Sequence, residues 1–199
     1  MHKVLIVGSV ALDSIKTPFG EKENILGGSA VHSSVAASFF SHINLVGVVG
    51  EDFPRAHIDM LRKRGVDLEG LQIVPGGKTF HWKGYYEYDM NQAHSLDTQL
   101  NVFADFDPLL PDNYTETPFV FLANIDPELQ MKVLDQIRKP KLVMLDTMNF
   151  WISSKKEKLM EVMKKVDVVL LNEGEIRQLM GIPNIIKAAR ALLKQGIKI

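Results

Sequence analysis

Five short runs in this chain are apolar at consecutive positions: Val4-Leu5-Ile6-Val7, Leu45-Val46-Gly47-Val48-Val49, Phe119-Val120-Phe121-Leu122-Ala123, Leu142-Val143-Met144-Leu145 and Val168-Val169-Leu170-Leu171. A half-buried strand alternates, whereas a strand apolar at every position is buried on both faces. That arrangement belongs to parallel sheets covered by helices above and below. The intervening segments supply the helices. Val31, Val35 and Phe39 recur at helical spacing, and Phe53 to Arg64 offers Ile58, Met60 and Leu61 to a core with Gly65 at the stop position. Pro127 suits the first turn of a helix running to about Ile137, and a further helix is expected around Lys155 to Lys165. Alternating strand and helix predicts an α/β domain with a mostly parallel central sheet flanked by helices.

The ends of these runs are polar. Asp13 follows the first, Asn124 and Asp126 follow the third, Asp146-Thr147-Met148-Asn149 closes the fourth and Asn172-Glu173-Gly174-Glu175 the fifth. Open α/β sheets bind ligands at their carboxyl edge, so these residues are candidates for a site. Each has a plainer reading. Asp13 alone could equally cap a turn. Asn172 and Glu175, three apart at a helix start, present an amide and a carboxylate suited to hydrated magnesium and phosphate oxygens, but also spell an N-cap with its capping box.

Between the first two runs lies Gly27-Gly28-Ser29-Ala30-Val31-His32, a glycine turn feeding a closely packed helix. Unpaired N–H groups at such a helix start could hold a hydroxyl-rich or anionic ligand; a tight turn before a core helix is the bland alternative. From Thr79 to Tyr88 the period changes to two, with Phe80, Trp82, Gly84, Tyr86 and Tyr88 on one face. A second strand is expected at Thr98 to Phe103, so that about 76–105 forms a small antiparallel flap. Its aromatic face can pack on the body, meet a second subunit or close over a ligand.

Composition removes several classes. The 199 residues are 46% hydrophobic with a net charge of −1, enough for a sizeable core and without a field that attracts nucleic acid or an anionic membrane. No basic patch with interleaved aromatics occurs, and Gly8-Ser9-Val10-Ala11 is not a dinucleotide-binding G-x-G-x-x-G loop. There is no cysteine for disulfides or thiol catalysis, no signal-peptide core and no membrane-length apolar run, which suits a cytoplasmic protein.

Taken together, Asp13 after the first strand, Gly27-Gly28 with its helix, Gly47-x-x-Gly50-Glu51-Asp52, the aromatic flap and Asn172-x-x-Glu175 occur in the order found in ribokinase-like (PfkB) carbohydrate kinases. The chain resembles that family over essentially its whole length. The resemblance implies a ribokinase-like fold in which the flap is a lid. It implies that Asp13, Gly27, Gly28, Ser29, His32, Phe80, Trp82 and Asn124 bind the substrate, His32 standing where many members have asparagine. Asn149 and Asn172 are implied at the ATP phosphates, with Glu175 and Asn172 at magnesium, partly through water.

The family's catalytic aspartate lies in a Gly-Ala-Gly-Asp motif that this sequence lacks, and Gly196-Ile197-Lys198-Ile199 reads as the opening of another strand. The resemblance therefore implies an incomplete domain, 1–199, inactive alone and without the C-terminal nucleotide-binding part, whose intact protein phosphorylates a hydroxyl of a small sugar with ATP and Mg2+. A nucleoside acceptor is the alternative within that class; a non-catalytic small-ligand sensor is the alternative outside it. Neither nucleic acid nor membrane is an expected partner. The lid offers a homodimer interface, as in some members, or folds onto its own domain.

Overall fold

The structure, a computed structural model, describes residues 2–91 and 93–198. Strand β1 (Lys3–Val7) leads into a hairpin of β2 (Ala11–Thr17) and β3 (Gly20–Gly27), and then into helix α1 (Ser29–Ala37). Next come β4 (His42–Gly50), α2 (Arg55–Lys63) and β5 (Val66–Val74), followed by a second hairpin, β6 (Phe80–Tyr86) and β7 (Ala93–Gln99). Two 3-10 turns, Asn101–Asp105 and Asp112–Tyr114, return the chain to β8 (Phe119–Leu122), α3 (Pro127–Gln136), β9 (Leu142–Asp146), α4 (Asn149–Ser154) and α5 (Lys156–Met163). The chain continues through β10 (Val168–Leu170), α6 (Glu173–Met180) and α7 (Ile185–Leu193).

Six strands form one parallel sheet in the order β10-β9-β8-β1-β4-β5. Its apolar runs divide their side chains between the two faces. Leu5, Val7, Val46 and Val48 pack with Val133 of α3, Leu159 of α5 and Leu179 of α6, while Ile6, Ile43, Leu45 and Val49 pack with Ala30 and Val31 of α1 and Leu61 of α2. Each fully buried Leu, Ile or Val contributes roughly 1.5–3 kcal/mol. Strand order reverses at β1, which has β4 on one side and β8 on the other. The crevice beyond the carboxyl ends of β1 and β8 is therefore the switch point at which such sheets take ligands.

The lid is larger than the 76–105 stretch suggested and is not purely antiparallel. Its order is β3-β2-β6-β7, with β2 and β6 parallel, so half of its strands come from Ala11–Gly27. The strand expected at Thr98 to Phe103 ends at Gln99; the rest is a 3-10 turn entered through Asn101 at φ +50. The helix expected around Lys155 to Lys165 is α5, and a further short helix, α4, precedes it, the two meeting at Lys155. Gly196 to Lys198 form no strand: Gly196 turns at φ +92 and Lys198 pairs with Asp167. Ile199, the last residue of that expected strand, lies outside the described residues.

Candidate functional site at the sheet edge and lid

Asp13 sits within β2, opposite Ile25 of β3 and Trp82 of β6. Residues paired in register share a sheet face, so Asp13 and Trp82 project on the same side of the lid. Gly27 makes room for the carboxylate: a Cβ there would stand 2.0 Å from Asp13 Oδ2. Burial pushes the Asp13 carboxyl above the usual carboxylate range, and the nearby imidazoles of His32 and His81 oppose that shift. His32, on α1, is exposed; the His81 ring faces Ser14 Oγ through Nε2 at 3.1 Å.

Gly28 is the N-cap of α1 at φ +97, where a Cβ would come within 2.4 Å of the Ser9 carbonyl oxygen. The first amides of α1 are not left open. Ser29 N donates to Ser9 Oγ at 2.9 Å and Ala30 N to Ser9 O at 3.0 Å. Ser29 is similarly committed: its hydroxyl donates to the Asn124 carbonyl at 3.0 Å and receives the Ser9 N–H at 3.2 Å. Ser29 thus ties the ends of β1 and β8 to α1 across the switch point.

Asn124, at the end of β8, keeps its side-chain oxygen buried and unpartnered. Its backbone N–H and that of Thr147 favour the charged form of the Asp146 carboxyl. Asp146 closes β9 and is pushed up to about 6, chiefly by burial and then by the charge of Glu175. Thr147 Oγ1 is also buried without a partner. The sequence placed Asp146 and Thr147 on the polar edge but gave neither a role, since a carboxylate at a strand end has no spacing signature of its own.

Asn172 and Glu175 form the capping box of α6: Glu175 N donates to Asn172 Oδ1 and Asn172 N to Glu175 Oε2, both at 2.9 Å. The helix-cap reading is therefore realised, and it leaves Glu175 Oε1 and the Asn172 amide nitrogen for other partners. Burial pushes the Glu175 carboxyl up, against the Asn172 N–H that favours its charged form. Asn149 is exposed and donates through Nδ2 to Gln178 Oε1 of α6 at 2.6 Å, which orients it along α6.

On the lid, the two aromatic candidates differ. Phe80 stacks on Phe103 at 5.2 Å between centroids, and Phe103 on Phe106, a column that packs the lid base. Trp82 lies across Gly84, where a Cβ would meet its ring at 2.2 Å, and donates through Nε1 to Ser95 Oγ at 2.9 Å. Beside β10 runs a separate groove lined by Val169, Leu171, Ile176 and Leu192, apolar along most of its length.

The arrangement brings the Asp13 carboxylate and an indole onto one lid face, and a buried and a half-buried carboxylate, Glu175 and Asp146, onto the sheet edge. The sequence model for pfkB family carbohydrate kinases matches residues 1–199. A cytidine kinase from Thermococcus kodakarensis is 28% identical over 204 residues, covering 100% of this chain and 72% of that protein. The nucleoside kinase of Methanocaldococcus jannaschii superposes with a TM-score of 0.72 at 19% identity, covering 96% of this chain and 68% of that one. Arabidopsis thaliana ribokinase, in a structure with ribose and ATP, gives 0.73 at 20% identity, covering 98% and 70%. The two solved structures share its fold.

Proposed function

Since the chain belongs to the pfkB family of carbohydrate kinases, we propose that it serves ATP-dependent phosphorylation of a nucleoside, gripping the ribose hydroxyls between Asp13 and the glycine turn. One observation carries the reading: the Asp13 carboxylate occupies space that any residue but glycine at 27 would fill. A carboxylate held there accepts hydrogen bonds from vicinal hydroxyls. The similarity to a cytidine kinase supports a nucleoside over a free sugar, and Trp82 on the Asp13 face supplies a flat ring for a base. His32, where many members carry asparagine, adds a second hydrogen-bonding group beside Asp13.

The sheet edge suits the phosphates and their metal. Asp146 and Glu175 resist ionising together, and a divalent cation relieves that conflict, so the pair fits magnesium with Asn172 contributing through water. Bound magnesium offsets repulsion among phosphate oxygens. The lid strands exclude water around the acceptor, and Asn149 steers the rim through Gln178. We assign the uptake of the hydroxyl proton to none of the residues described above.

Calorimetric titration with cytidine, adenosine, ribose and fructose, and ADP release with ATP and magnesium, test the reading. A nucleoside is expected to bind at least about tenfold more tightly than ribose, the margin of one good base contact, and Asp13→Ala to abolish binding. Tight ribose or fructose binding restores the sugar reading. Nucleoside binding with no ADP release from the protein makes it a ligand sensor. If no acceptor binds, the proposal is wrong.

A further inference from the structure

The Gly50-Glu51-Asp52 turn lies outside every role given so far. We propose that Asp52 and Thr79 form the pivot of the lid, a clamp that fixes strand β6 over Asp13 and sets how firmly the lid can close. Thr79 immediately precedes β6 and is 2% exposed. All of its polar groups are bonded to the body rather than to the lid. Its N–H and its hydroxyl donate to Asp52 Oδ1 at 2.8 and 2.7 Å, its Oγ1 accepts Gly50 N–H at 3.0 Å, and its carbonyl accepts from Asn101 Nδ2 at 2.9 Å.

The chain entering the lid and the chain leaving it meet at this point. Val102 N donates to Lys78 O at 3.1 Å, beside Asn101 at positive φ. The same turn braces the approach: Glu51 N donates to Gly77 O at 3.1 Å and Gly76 N to Glu51 Oε2 at 2.9 Å. Gly50 permits this contact, because a Cβ there would lie 2.4 Å from Gly77 O. The first hairpin has its own anchor at Ser9 and Ser29. Two anchors define an axis, and β2 and β6, paired in parallel between them, move about it together.

Asp52 and Thr79 are positioning residues; they act on the acceptor through β6 and its register with Asp13. The inference rests on the lid reading above, so its test begins with a measurement that needs no substrate. In native-state hydrogen exchange, Thr79→Val, which removes both buried hydrogen bonds of the hydroxyl, is expected to raise the rates of β6 and β2 amides at least roughly tenfold, while β1, β8 and β4 short of Gly50 exchange as in the parent. Thr79→Ser is expected to restore the parent pattern, and Asp52→Asn to give a smaller effect of the same distribution. In turnover assays, Thr79→Val is expected to raise KM for the acceptor and leave KM for ATP unchanged.

Unchanged lid exchange in Thr79→Val overturns the proposal. So does a uniform rise across lid and sheet, which marks loss of stability rather than of a pivot. If Thr79→Val fails to fold, Asp52→Asn and Asn101→Ala decide by the same pattern. A lid that loosens as expected in Thr79→Val, yet is protected by no acceptor in the parent, supports the pivot and counts against the nucleoside reading.

Discussion

Asp13 and Gly27 are a matched pair in which one residue owes its position to what the other lacks. Gly27→Ala forces a methyl group into the carboxylate, so a stability loss of about 1–3 kcal/mol is expected in thermal unfolding, with acceptor affinity lowered further. Asp13→Asn keeps the shape and removes a desolvated charge. Its melting temperature is expected to hold or rise while acceptor binding falls on the order of a hundredfold, the cost of losing charge-assisted hydrogen bonds. Asp146 has a pH signature. Its folded-state pKa, about 6, lies above the unfolded value, so the folded protein holds the proton more tightly and stability falls as pH rises from about 4 through about 6. After allowance for solvent screening the change is on the order of 1–2 kcal/mol. Asp13 and Glu175 act in the same direction. Denaturant titrations from pH 4 to 8 should show this slope, and Asp146→Asn should flatten it.

Elements differ in how openly their residues declare them. The strands β1, β4, β8 and β9 carry apolar runs because helices cover both faces, and their sequences say so directly; β10 carries one too, although at the sheet edge it leaves Leu170 exposed. Strand β5 does not, since Val66–Val74 mixes Asp67 and Glu69 with its apolar residues at the sheet edge. Strand β3 is more opaque still: Gly20 to Asn24 are exposed, and their pairing comes from β2 rather than from any apolar pattern of their own. The polar sheet edge was legible as strand ends, but the coupling of Asp146 with Glu175 depends on how close the end of β9 comes to the start of α6, which no spacing encodes. At Asn172 and Glu175 the cap and ligand readings coexist, and they separate by substitution. Asn172→Ala should lower stability by about 1 kcal/mol through loss of the cap. Glu175→Gln should keep α6, because its amide oxygen can still accept the Asn172 N–H, and yet weaken magnesium-dependent turnover.

At the scale of the molecule, the lid joins two hairpins separated in sequence by α1, β4, α2 and β5, and each is anchored to the body at its base. Its exposed tips carry Phe19 and Tyr88, 72% and 79% exposed and in edge contact at 5.5 Å. Limited proteolysis with a glutamate-specific enzyme should therefore cut first at Glu87, in the exposed turn after β6, and leave the body intact. A bound acceptor should slow that cut. The two-hairpin construction also bears on the order of assembly. The β2–β6 pairing joins Ala11 to Phe80, and a contact between positions so distant in the chain closes only after the intervening strands have found their places. The body can form first, its cores buried except where Leu12 and Leu26 of the lid pack in. A refolding experiment should then recover helical signal ahead of acceptor binding, so that ligand competence marks the last step of maturation and partly folded molecules stay blind to substrate.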